Sequence, residues 1–71
     1  MEHRQILAKN VRRRRKALRF SQEELAHRAG IDRTWVSTIE TAKAGATIDV
    51  VSKLAAALGV TPSDLLEKDR E

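Results

Sequence analysis

Apolar residues recur along this chain at helical spacing and never alternate with polar ones, so the pattern predicts helices and no strands. The first segment, about Ile6 to Leu18, sets Leu7, Val11 and Leu18 on one face with Ile6, Ala8 and Ala17 beside them, and places basic residues elsewhere. Ser21 and Glu24 have the S-x-x-E form of a capping box and predict a helix start, with Leu25, Ala26 and Ala29 facing inward and Gly30 ending it in a left-handed turn. Asp32 then caps a third helix whose Val36 and Ile39 point inward. After a small-residue loop from Thr41 to Ala46, Thr47 caps a fourth, where Ile48, Val51, Leu54, Ala55 and Leu58 keep the apolar period until Gly59. Thr61, Pro62 and Asp64 start a short fifth helix carrying Leu65 and Leu66, and residues 67–71 form an entirely charged tail expected to fray.

The expected fold class is therefore all-α, a compact cluster of five helices. With 71 residues there is length for one small domain, 1–71, whose core spans about residues 6–66. No cysteine is present, so disulfides, thiolate metal sites and cysteine nucleophiles are excluded. His3 and His27 lack further ligands at useful spacing, and neither a metal nor any other cofactor is expected. An enzyme is not expected either: there is no glycine-rich phosphate loop, no framed pair of carboxylates and no nucleophile with a histidine and an orienting acid. No apolar run approaches the roughly 20 residues that span a bilayer. The start lacks the pattern of a signal peptide, which leaves the cytoplasm as the expected compartment.

Charge sharpens the picture. The chain holds 14 Lys and Arg against 10 Asp and Glu, a net charge of +4, and residues 1–20 hold eight of the bases with Glu2 as their one acid. Such one-sidedness suits a polyanion. A membrane surface is the weaker alternative, because the apolar face of the first helix is needed for the core and carries no aromatic residue.

Residues 22 to 39 meet the demands of a helix-turn-helix: small Ala26 where two helices cross, Gly30 at the turn, and Val36 and Ile39 anchoring the second helix from behind. Its polar remainder, Arg33, Thr34, Ser37 and Thr38, with Trp35 at the edge, is then available to base edges. Trp35 admits two readings, a core anchor or a contact to thymine methyls or sugar.

The segments "FSQEELAHRAGIDRTWVSTIE" and "TIDVVSKLAAALGVTPSDLL" resemble the Cro and phage-repressor helix-turn-helix regulators, the xenobiotic response element family, over about residues 6–66. "IDRTWVSTIE" is further similar to the controller proteins of restriction and modification systems. The resemblance implies a lambda-repressor-like fold and a transcription regulator that binds double-stranded DNA as a homodimer, at half-sites about 34 Å apart. It implies base reading by Arg33 and Thr34, with Ser37 and Thr38 a turn later, and phosphate contact by Gln22, Thr41 and Lys43. Arg12, Arg13 and Arg14 are expected to steer phosphate, while Arg15 and Glu40 match a structural salt bridge. Arg19 and Ala42 stand where the family has glycine, and Ala46 where it has proline. Val50, Val60, Leu65 and Leu66 exceed what the core needs and are the expected dimer interface. The competing reading is an antitoxin-like module that uses this fold to hold a protein partner.

Overall fold

The computed structural model describes residues 3–68. The expectation for the charged tail falls mostly on residues 69–71, which lie outside the described residues. Five helices follow in order: α1 (His3–Ala17), α2 (Gln22–Ala29), α3 (Arg33–Glu40), α4 (Ile48–Leu58) and α5 (Pro62–Leu65). No strand occurs among the described residues.

Each helix start after the first is held by the side chain that the sequence offers. Ser21 Oγ accepts from the Glu24 N–H at 3.0 Å, Asp32 Oδ1 from Thr34 at 3.0 Å and Thr47 Oγ1 from Val50 at 3.2 Å. Thr61 and Asp64 form a complete capping box, with reciprocal bonds of 3.1 and 3.0 Å. Glu24 departs from the expected box: its carboxylate turns to Arg28 one turn on, at 2.6 Å, instead of back to the cap.

Helix ends share one geometry. In α1 to α4, paired backbone bonds close a Schellman turn, for example Ile31 N–H to Ala26 C=O with Gly30 N–H to His27 C=O. The residue at the bend takes a left-handed conformation: Gly30 and Gly59 after α2 and α4, but Arg19 (φ 61°) after α1 and Ala42 (φ 59°) after α3. Arg19 thus occupies the strained left-handed position, and α1 ends in the same way as the others.

These ends let α1 pack on α3, α4 and α5 while α2 packs on α3 and α4. Leu25, Ile39, Leu54, Leu65, Val11 and Val36 are sealed at the centre. Three expectations are corrected. Leu65, expected at a dimer face, is 0% exposed and belongs to the core, because α5 turns it onto α1 and α4. Leu18 and Ile48, which keep the apolar period, are exposed at 46% and 86%, since each stands at a helix end beyond the facing helices.

Asn10 is a polar residue buried with the core. Its amide donates to Leu65 C=O at 2.9 Å and Glu67 C=O at 2.8 Å, and its Oδ1 accepts from Arg13 at 3.1 Å. These carbonyls end α5 and have no helical partner of their own, so Asn10 ties the last turn of the fold to α1.

Candidate nucleic-acid interface

α3 presents two chemically opposite faces. Val36, Ile39 and Glu40 are buried, while Arg33, Thr34 and Thr41 are exposed and Ser37 and Thr38 half-buried. Its length of eight residues between Asp32 and a left-handed Ala42 leaves the outer face unobstructed by its own termini. Trp35 is half-buried and packs against the core at the edge of this face. Lys43 lies just beyond, exposed.

Behind α3 an ion pair fixes its far end. Arg15 Nε and Nη2 donate to the two oxygens of Glu40 at 2.7 and 3.0 Å, and Nη1 donates to Phe20 C=O at 2.8 Å. The hydrogen bonds to Glu40 raise the Arg15 pKa against the opposing effect of burial. Gln22 adds a bond from its amide to Glu40 Oε1 at 3.1 Å, so the first residue of α2 is tethered to the last of α3. Three helices are thereby locked around one carboxylate. Arg28 sits over the Phe20 ring at 4.5 Å and pins the α1–α2 corner from the other side.

The run Arg12 to Arg15 does not act as one cluster. Arg12 is exposed, Arg13 donates to Asn10, and Arg15 is committed to Glu40. Arg14 is half-buried, with a buried Nε that has no partner among the described residues, and its charge acts on Asp64 of α5. Arg13 and Arg14 therefore lean toward the α5 end rather than gathering beside α3. Arg12 and Lys16, one turn apart on α1, are both exposed, as is Arg19 in the left-handed turn that follows the helix. The i, i+4 interval from Arg12 was the available signal for Lys16. For Asn10 there was none, because its partners lie more than fifty positions away.

No group of three or more His, Cys, Asp or Glu gathers at metal-binding distance among the described residues. His27 is exposed in the last turn of α2, and His3 lies at the edge of a shallow apolar groove formed with Leu7, Ala46, Ile48, Pro62 and Leu66. No helix there is long and apolar enough to cross a membrane.

The Helix-turn-helix family model matches residues 11–65, which takes in the ion pair, both helices of the motif and the two that follow. A curated relative described as a Neisseria hypothetical transcription factor, from Neisseria meningitidis serogroup B, is 43% identical over 68 residues, 96% of this chain. The chain spans 64% of that relative's length. Among solved structures, the hypothetical transcription factor NHTF from Neisseria superposes with a TM-score of 0.93 at 40% identity, covering 97% of this chain and 79% of that one. The restriction-modification controller protein C.AhdI from Aeromonas hydrophila gives 0.84 at 32% identity, covering 87% and 94%. With its sequence matched through the whole motif and its fold superposed on theirs, this chain belongs to the helix-turn-helix family HTH_3, of the Cro and phage-repressor type.

Proposed function

We propose that the chain is a sequence-specific, double-stranded DNA-binding transcription regulator of the cytoplasm, which docks α3 in the major groove and binds a pseudo-palindromic operator as a homodimer. The observation that carries this reading is the anchored α3: a short helix held from behind by Val36, Ile39 and the Arg15–Glu40 pair, with a polar, uncluttered face outward. A rigid element of that kind can present side chains to base edges without losing its own support.

Arg33 at the start of α3 offers paired donors suited to guanine, worth roughly 1–3 kcal/mol of discrimination. Thr34, Ser37 and Thr38 follow along the groove, with Trp35 at its rim. The primary amide of Gln22 has two hydrogens, and Glu40 takes one, which leaves the other for a phosphate. Thr41, Lys43 and Arg12 complete the phosphate set, joined by Lys16 and Arg19.

Dimerisation is supported by apolar surface left in water. Ile48 and Leu66 are 86% and 49% exposed around the apolar groove, and half-buried Val50 and Val60 lie on the same two C-terminal segments. Two copies multiply modest half-site energies, which a single small module lacks.

The test is selection of binding sites from randomised duplex DNA, followed by titration of the best site against salt. A regulator enriches one two-fold-symmetric site and binds it at salt concentrations that abolish binding to random duplex. Arg33→Ala then relaxes the preference at one position of each half-site. Absence of any enriched sequence, with binding that merely fades as salt rises, would exclude the reading and favour a module that holds a protein partner.

A further inference from the structure

The centre of α3's outer face is a ladder of threonines, Thr34, Thr38 and Thr41, at intervals of four and three residues, opposite buried Val36 and Ile39. Their hydroxyls are not all open to a ligand. Thr38 Oγ1 donates its hydrogen to Thr34 C=O at 2.9 Å, and Thr41 Oγ1 donates to Ser37 C=O at 2.9 Å with Thr38 C=O at 3.2 Å. A hydroxyl carries one hydrogen, so Thr38 has no donor left for a base. The back-bond also holds χ1, which leaves the γ-methyl as a fixed apolar feature of the side chain.

The rest of the face narrows the choice further. α3 reads RTWVSTIE, with no Asn or Gln to pair with adenine, and its one carboxylate, Glu40, is buried in the ion pair. Donors to base edges therefore remain at Arg33 and in the hydroxyls of Thr34 and Ser37, and none remains at Thr38. At Thr38, whose oxygen can accept but no longer donate, the fixed γ-methyl is the apolar contact this face offers, and its complement in the major groove is the C5 methyl of thymine.

We propose that Thr38 is a specificity residue that reads thymine through its γ-methyl group, its hydroxyl serving the helix and not the DNA. The inference rests on the DNA-regulator reading above and deepens it by naming the chemistry of the half-site: a guanine at Arg33 and a thymine methyl under Thr38, separated by about one and a half helical turns of α3.

The test uses the selected duplex with each thymine in turn replaced by deoxyuridine, which removes only the methyl. Wild-type protein binds about fourfold more weakly per half-site when the critical methyl is removed, the equivalent of one buried methyl group. Thr38→Val keeps the γ-methyl and loses the hydroxyl, so it retains both the affinity and the deoxyuridine penalty. Thr38→Ser keeps the hydroxyl and loses the methyl, so it binds both duplexes alike. Circular dichroism of both variants checks that α3 is intact.

Loss of binding in Thr38→Val with normal discrimination in Thr38→Ser overturns the proposal, since the hydroxyl would then be the reading group. A selected site at which no thymine methyl matters to the wild type overturns it too, and leaves the regulator reading standing. If selection enriches no sequence at all, the regulator reading itself fails and this inference falls with it.

Discussion

Arg15 holds Glu40 with two hydrogen bonds, of 2.7 and 3.0 Å, across the junction of α1 and α3, and their side chains are only 12% and 3% exposed. In so small a domain this pair is a large fraction of what fixes α3. Removing one partner strands a desolvated charge, whereas replacing both with apolar residues of like volume does not. Glu40→Ala is expected to destabilise the fold by roughly 3–5 kcal/mol in urea unfolding, a large fraction of the stability of a small domain. A double Arg15→Met, Glu40→Leu variant is expected to regain most of that loss. Equal destabilisation by the single and double replacements would show that geometry, not stranded charge, is what the pair supplies.

Asn10 carries a comparable role without charge. Its amide serves Leu65 C=O and Glu67 C=O, and truncation to Ala leaves two carbonyls at the end of α5 short of donors. The cost of an unsatisfied buried polar group is about 1–3 kcal/mol. Asn10→Ala should therefore melt roughly 4–24 °C lower. Hydrogen exchange should rise first in α5, which Asn10 fastens, before it rises in α2 and α3. A uniform increase throughout would mean that α5 has no local unfolding of its own.

What the sequence makes legible here is local chemistry. The caps Ser21, Asp32, Thr47 and Thr61 and the turn at Gly30 are visible because a cap and its helix are neighbours in the chain. Whether Leu65 or Leu66 is buried is not visible, because a helix of four residues has no period to fix its phase. Ile48 keeps the apolar spacing of α4 and yet stands in water, because spacing says which side a residue is on and not whether a neighbour reaches that far. The direction of each arginine in the run is hidden for a related reason: successive residues on a helix point about 100° apart, so a string in sequence becomes a fan in space. The pairing of Arg15 with Glu40 came through the family likeness, since nothing in the spacing of two residues 25 positions apart requires it.

Two helix ends carry strain that glycine would remove. Arg19 and Ala42 sit at φ 61° and 59°, where a β-carbon crowds the backbone, in turns that α2 and α4 close with glycine. Arg19→Gly and Ala42→Gly should each stabilise the domain by about 1 kcal/mol, raising the melting temperature by roughly 4–8 °C. The two should add, because they lie in separate turns. DNA affinity separates them: Ala42→Gly is expected to leave it unchanged, while Arg19→Gly loses one exposed positive charge.

Acid sensitivity has one identifiable local source. The backbone N–H and hydroxyl of Thr61 hold the Asp64 carboxyl below its ordinary value of 3.8, with Arg14 adding to the effect. A folded-state pKa lower than the unfolded one means that the unfolded chain binds the proton more readily, so stability is present above about pH 4 and falls as pH drops through the folded value. Asp64→Asn should therefore flatten the decline in melting temperature between about pH 4 and pH 2 relative to wild type. Parallel curves for the two proteins would assign the decline to other carboxylates.

Arg12 and Arg14 are two residues apart yet are expected to differ in how they affect binding. Each phosphate neutralised by a protein releases counterions, so the slope of log K against log salt changes by about 0.9 for every phosphate that a variant no longer neutralises. Arg12 is exposed on the side of α1 shared with Lys16, whereas Arg14 is half-buried and acts on Asp64. On the selected operator, Arg12→Ala should reduce the slope by about 1 per protomer and weaken binding to every sequence alike. Arg14→Ala should leave the slope unchanged, with its effect confined to stability and to the Asp64 titration. Slopes reduced equally by both would place the whole run against the DNA backbone and would require Arg14 to swing away from α5 on binding.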